Sequence, residues 1–189
     1  MAIRNNSLRA ALAIASVAAG LTTSIATAAA DEPFFDELRF GAQVSASDKE
    51  DGSYYQVTMF FDPFESELAH GWKEKLLRPR VFLGGTVAGH SEDASMIFGG
   101  FAWDAKVTEK LFVEAGFGGM IHNGNLENYA ESGPYLGCRA LFREYAAIGY
   151  DVTANWRVLA QIEHSSHANL CGRPNNGLTR AGIQIGYKF

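Results

Sequence analysis

The chain is short of proline (5 in 189 residues), of cysteine (2) and of charge (20% Asp, Glu, Lys and Arg). With 47% apolar residues, that composition excludes a disordered polymer and a fibrous repeat, and the length fits one domain. It also lacks basic excess. Sixteen Lys and Arg stand against 21 Asp and Glu, net −5, which argues against a duplex-binding module with its many phosphate contacts. A mean hydropathy of −0.07 rules out a polytopic helical membrane protein. It leaves a membrane barrel open, because lipid-facing and lumen-facing residues average out. No repeat of solenoid or propeller period is present. What the chain does have is 20 glycines and 12% aromatics, a mixture that suits strands with close backbone approaches.

The first thirty residues read as a secretory signal. Arg4 and Arg9 form the basic start, residues 10–21 a short apolar stretch, and Ala-x-Ala sites end at Ala28 or Ala30. The stretch is too short and too rich in Ala, Ser and Thr to be read as a spanning helix; an uncleaved anchor is the rival reading. The expected domain organisation is therefore a leader over 1–30 and one β-domain over 31–189. Removing the leader takes two Arg from the 16 basic residues and no acid, leaving 14 against 21 and a net charge of −7. Export would carry Cys138 and Cys171 into an oxidising compartment, where either a disulfide or two separate buried thiols is open.

Past the leader the chain falls into eight segments of alternating apolar and polar residues, about 37–46, 54–62, 79–90, 94–106, 109–122, 134–150, 154–166 and 177–189. Residues 63–78 break the pattern and hold either one short helix or a long connection. In 136–150 the alternation puts Leu136, Cys138, Ala140, Phe142, Glu144, Ala146, Ile148 and Tyr150 on one face, with Gly137, Arg139, Leu141, Arg143, Tyr145, Ala147 and Gly149 opposite. A soluble sandwich or lipocalin would turn the apolar face inward; a membrane barrel turns it outward. Three features favour the membrane barrel. Several segments are long enough for a tilted crossing, aromatics sit near segment ends (Trp103, Tyr135, Tyr150, Trp156, Tyr187), and the chain closes on Tyr187-Lys188-Phe189. The expected fold is all-β, an eight-stranded antiparallel up-and-down transmembrane β-barrel, whose closure removes both sheet edges. With both ends periplasmic, the turns near 106–109 and 151–154 are periplasmic and short. The gaps 123–133 and 167–176 are then extracellular and longer.

His164 and Ser166 are two apart on one strand, so both point to the apolar face near its extracellular end. An ionisable group facing lipid is costly and suggests function, and Ser beside His is the minimal pair for acyl transfer. The competing reading places both in the headgroup zone, where polar groups cost little. His164, His167 and Cys171 make a poor metal set, since positions three apart on a strand face opposite sides. His122-Asn123-Gly124 reads as a strand-end turn. Arg139, Arg143, Arg157 and Arg180 read as lumen residues paired with Glu163 or other acids, and Arg173 as a loop cation able to meet lipid phosphate.

The run Glu163-His164-Ser165-Ser166-His167-Ala168-Asn169-Leu170, then Asn175-Asn176-Gly177-Leu178, then Gly186-Tyr187-Lys188-Phe189, resembles the lipid A 3-O-deacylase (PagL) family of outer-membrane barrels. The likeness is specific over the last 55 or so residues and diffuse elsewhere, as at Asp62-Pro63-Phe64 and Gly99-Gly100-Phe101-Ala102-Trp103. It implies hydrolysis of the ester-linked 3-hydroxyacyl chain of lipid A, without a cofactor, on the barrel's outer surface. His164 would be the general base and Ser166 the nucleophile. The implied partners are lipid A within lipopolysaccharide and the outer-membrane bilayer of a Gram-negative cell, with no nucleic acid; a homodimer is left open.

The chain departs from the family in two places. His167 stands where the family has Asn after the nucleophile, so His167 and Asn169 become the candidate oxyanion donors. Thr179 stands where the family has the Glu that orients the histidine. If Ser166 pairs with Gly177 across the last hairpin, Thr179 lies opposite His164. Glu144 is the expected replacement acid. With Tyr150 paired to Trp156 it would face Ile162 and lie diagonal to His164, within side-chain reach. Glu163 points to the lumen and is discounted. Two other readings stand beside the enzyme: a catalytically silent barrel with a structural or lipid-binding role, and a soluble periplasmic lipocalin-like carrier.

Overall fold

A computed structural model describes residues 35–47, 50–127 and 134–189. The expected leader over 1–30 lies outside the described residues. Eight strands follow in order: β1 (Glu37–Ser45), β2 (Ser53–Phe61), β3 (Arg80–Ala88), β4 (Met96–Lys106), β5 (Leu111–His122), β6 (Ala140–Asp151), β7 (Trp156–Ser166) and β8 (Leu178–Lys188). Each pairs antiparallel with its neighbour in sequence, and β8 returns to β1 to close the barrel, in register from Glu37 opposite Lys188 to Ser45 opposite Arg180. No helix among the described residues is long and apolar enough to cross a membrane.

The alternation seen in the sequence becomes an inversion of the usual core. In β6 the burial alternates strictly, with Leu141, Arg143, Tyr145, Ala147 and Gly149 inside and Phe142, Glu144, Ala146, Ile148 and Tyr150 outside. The exterior exposes Phe40, Val44, Val57, Leu83, Ile97, Phe117, Ile121, Ile162, Ile183 and Ile185, a surface that suits hydrocarbon rather than water. A lipocalin-like carrier needs the reverse arrangement, and that reading falls here.

Charges survive inside because each finds a counter-charge. Near the end where β1 begins and β8 finishes, Arg39 bonds Glu37 (2.6 Å) and Glu114 (2.7 Å), Arg157 bonds Glu37 and Asp151 (3.0 Å each), and the Tyr145 hydroxyl donates to Glu114 (2.9 Å). At mid-height, Glu163 accepts from Arg143 (2.5 Å), Gln161 (2.9 Å) and Gln43 (3.0 Å). At the opposite mouth, Glu50 from the β1–β2 loop folds in to grip Arg180 (2.6 and 2.9 Å). Aromatic rings lie among these pairs, with Arg39 over Phe60 (4.0 Å), Arg143 over Phe98 (4.0 Å) and Arg180 over Tyr54 (3.6 Å). The lumen is thus packed with side chains. Gly116 shows how closely: a Cβ there would lie 2.0 Å from the Tyr145 ring, so glycine is what admits the tyrosine.

Two expectations need correcting. Residues 134–139 do not extend β6. Gly137 takes a positive φ of 72°, Leu136 turns fully into the core and Arg139 is exposed, the reverse of the extrapolated alternation. Arg139 therefore bonds the carbonyls of His122 and Gly124 and is not a lumen cation. The β6–β7 connection is also displaced by one residue from its expected place. Asp151 stays in the strand because its lumen-facing carboxylate binds Arg157 and Lys106. The turn moves to 152–155, where Thr153 Oγ1 accepts the N–H groups of Asn155 (3.3 Å) and Trp156 (3.0 Å). Tyr150 then pairs with Val158, not Trp156.

Residues 63–78 form a short 3-10 turn (Ser66–Leu68) and helix α1 (Trp72–Leu77), at the same end of the barrel as the tight turns. Asp62 starts the turn, accepting the Ser66 N–H (2.8 Å) and hydroxyl (2.8 Å).

Replacing Glu114 by Gln keeps the volume and removes the charge that Arg39 and Tyr145 need. Stability should fall by about 3–5 kcal/mol, read as a lower urea midpoint for loss of heat-modifiable gel migration. Glu65→Gln, on an exposed pair with Arg78 at 3.9 Å, should change it by less than about 1 kcal/mol.

Candidate active site

The last three strands bring the sequence-selected residues together on the outward face. β7 presents Ile162, His164 and Ser166 there in succession. Thr179 of β8 is directly opposite His164, as the hairpin register predicted. The His164 Nδ1 and the Thr179 hydroxyl lie 2.8 Å apart in a hydrogen bond. On the other flank, Glu144 of β6 is also directly opposite His164 and not on the diagonal expected, because moving the β6–β7 turn by one residue shifts the register by two. The row continues to Phe117 on β5. Phe117 stacks on Phe142 (6.0 Å, 20°), and Phe142 is the partner of Ser166 in register.

His164, Ser166 and Thr179 are partly buried and Glu144 is exposed. The bond to Thr179 holds the ring toward β8, leaving Nε2 as the nitrogen available for chemistry. That nitrogen lies beside Gly177, the next residue in register across from Ser166. A Cβ on Gly177 would stand 3.0 Å from His164 Cε1 and 3.4 Å from Nε2, and φ there is +67°. Gly177 is thus the seat of the imidazole, a role that the Asn-Asn-Gly turn signal reveals only as a turn.

His167 does not join this group. Its ring is buried at 2% exposure, donating from Nε2 to the Pro174 carbonyl (3.0 Å) and accepting the Cys171 N–H at Nδ1 (3.4 Å). Both nitrogens are committed to holding the 167–177 loop, which makes it a loop anchor and no free oxyanion donor. Asn169 is exposed, with φ 63°, and its side-chain oxygen accepts from Asn175 (3.4 Å), leaving its NH2 group to donate. The loop is tied to residues 134–139 by the Cys138–Cys171 disulfide (Cα–Cα 6.1 Å) and by reciprocal bonds between Tyr135 and Asn176 (3.1 Å each). Cys138, His167 and Cys171 sit close enough to suggest a metal cluster. Disulfide-bonded sulfurs are not the thiolates a metal takes, so the set does not fit one. Glu163 faces the lumen within its hydrogen-bonded cluster.

A closed barrel with a sealed charged interior, an apolar exterior and a polar cluster set into that exterior defines the class, an outer-membrane β-barrel protein. The chain belongs to the lipid A 3-O-deacylase (PagL) family, whose model matches residues 36–188. Among solved structures it is similar to the outer membrane enzyme PagL, at 18% identity over 79% of this chain and 97% of that one (TM-score 0.60). It is similar in fold to the N-terminal β-barrel domain of Pseudomonas aeruginosa OprF (11% identity, 82% and 98% covered, TM-score 0.56). It is also similar to a de novo designed transmembrane β-barrel (12%, 84% and 98%, TM-score 0.52). No curated protein matches it in sequence. Family and fold place it in the outer membrane and support lipid A deacylation, the activity of the family.

The Gly177→Ala variant should remain a heat-modifiable barrel, at a cost of about 1–2 kcal/mol for the left-handed backbone. Its new methyl should displace the imidazole. The check is nitrogen-15 NMR of the His164 ring, which should lose the signature of a hydrogen-bonded Nδ1.

Proposed function

We propose that the protein hydrolyses the ester linking the 3-hydroxyacyl chain of lipid A, with Ser166 as nucleophile and His164 as general base, from the lipid-facing surface of the barrel. The observation that carries this is the His164–Thr179 hydrogen bond of 2.8 Å, which occupies Nδ1 and leaves Nε2 free beside Gly177, next in register across from Ser166.

In the acylation step Nδ1–H donates to Thr179 and unprotonated Nε2 removes the Ser166 hydroxyl proton as Oγ attacks the ester carbonyl. The tetrahedral oxyanion collapses, breaking the bond to the sugar oxygen, and the imidazolium returns its proton to that leaving oxygen. Water, deprotonated by the same nitrogen, then releases a 3-hydroxy fatty acid and restores Ser166. Asn169 is the proposed oxyanion donor. The disulfide and the His167 anchor hold its loop in place. The reaction draws on no cofactor.

Thr179 orients the ring but supplies no charge to the imidazolium. Glu144, across the strand pair, supplies a carboxylate from the other side without occupying Nδ1, and acts through space at neighbouring-strand distance. A carboxylate so placed steadies charge less well than one bonded to the ring. The Thr at this position also favours the second reading, a barrel that keeps the fold and has lost turnover.

The test is mass spectrometry of lipid A from cells expressing each variant, with folding checked by gel migration. Wild type should yield lipid A lacking the 3-O-acyl chain. Ser166→Ala and His164→Ala should each lower turnover by at least about 10³-fold, and Glu144→Gln by several-fold. Thr179→Glu restores a bonded acid and should raise turnover by about tenfold or more, part of the roughly 10⁴ that an orienting carboxylate contributes in a Ser-His-Asp site. A folded wild type that leaves a competent lipid A intact assigns the silent barrel instead.

A further inference from the structure

From His164 toward the other end of the barrel the outward face sinks into a trough of about 1020 Å³. Its floor is a row across four strands that is alanine on β5, β6 and β8 and is interrupted by Ile162 on β7. Ala115 pairs with Ala146, Ala146 with Ile162, and Ile162 with Ala181. Ala160 lies in the next row. Side chains this short leave the backbone near the surface, while Phe117 and Phe142 stand above it beside the site.

The far end of the row is closed. Trp103 of β4 lies opposite Ala115, and its indole N–H donates to the Leu76 carbonyl of α1 (3.1 Å). Lys75 of the same helix donates to the Asp104 carbonyl (3.3 Å). The helix belongs to the β2–β3 connection, so no strand pairing demands that it lean over β4. These two bonds hold it there, and Trp72 and Leu76 form the wall.

The near end opens on the site, because Ile162 and Ala181 are the outward neighbours of His164 and Thr179, two residues along each strand. The trough lies on the apolar belt of an outer-membrane barrel, so its occupant is hydrocarbon. An ester carbonyl held at Ser166 sends its acyl chain into it. Three strand spacings and one two-residue step put Trp103 roughly 16 Å from His164, the span of an extended chain of about a dozen carbons.

We propose that Trp72 and Leu76, braced on Trp103, form a stop that sets the length of the acyl chain this barrel accepts. The proposal rests on the deacylase reading above and names the specificity device of that same site. The occupant is the ester-linked chain of lipid A, not a bulk phospholipid tail.

The purified full barrel is tested in mixed micelles with lipid A analogues that differ only in the 3-O-acyl chain. Wild-type hydrolysis should fall sharply once the chain exceeds about a dozen carbons. The Trp72→Ala/Leu76→Ala double variant should accept longer chains while its rate on the shorter ones stays within about twofold. An unchanged length profile in a folded double variant overturns the stop. So does an equal loss at every length, which would make α1 a membrane anchor only.

Failure of the deacylase reading is a different result: no hydrolysis by wild type at any length. A binding measurement then still decides the stop. In Trp156→Phe protein the two remaining tryptophans, Trp72 and Trp103, flank the closed end. Their fluorescence should be quenched by lipid A brominated at the chain terminus and much less by lipid A brominated near the carbonyl. Equal quenching by both, or as strong quenching by a terminally brominated phospholipid, overturns the proposal.

Discussion

The structure depends on pairing charge inside a closed sheet. Arg39 between Glu37 and Glu114, Arg143 on Glu163, and Arg180 on Glu50 are all but inaccessible to water. An unpaired ion there would cost several kcal/mol. Because these residues satisfy one another, the lumen absorbs the polar half of every strand and the exterior is left to aliphatic and aromatic groups. Among the described residues, the one place where the strands' exterior turns polar across neighbouring strands is the row of Glu144, His164 and Thr179. The site is conspicuous because the rest of the surface obeys the rule.

That rule also explains what was legible in the sequence. Period-two alternation located all eight strands, since each strand faces two different solvents and must show it in every second residue. The β7–β8 register followed once Ser166 was set opposite Gly177, and His164 does lie opposite Thr179. Between β6 and β7 the inference ran two residues out. Nothing in the local pattern says that Asp151 will remain in the strand; its reason to stay is Arg157 across the turn and Lys106 from β4. The segment 134–139 failed for a similar reason. Its alternation is real, but Gly137 and the ties to the 167–177 loop bend it over the barrel mouth.

The partners of the proposed catalytic residues were harder to read than the residues themselves. His164 and Ser166 stand out as polar groups on an apolar face, a local property. His167 carries the same chemistry in the sequence but is buried beneath its loop, and only its two hydrogen bonds reveal it as an anchor. Gly177 has no side chain to notice, yet the space it leaves is where the imidazole lies. The trough is invisible for a related reason. Ala115, Ala146 and Ala181 are unremarkable in their own strands and become a floor only when pairing brings them into one row, with Ile162 between the last two.

The seam between β1 and β8 is the one pairing in the sheet that joins strands not consecutive in sequence. Until it zips, β8 is a free edge, and the Thr179 carbonyl lacks the Ala46 N–H it accepts (2.8 Å). The strand that steadies His164 therefore draws half of its backbone pairing from β1. Opening this seam would loosen β8 and with it the Thr179 hydroxyl bonded to His164, so the integrity of the lipid-facing cluster hangs on a closure made on the opposite edge of that strand.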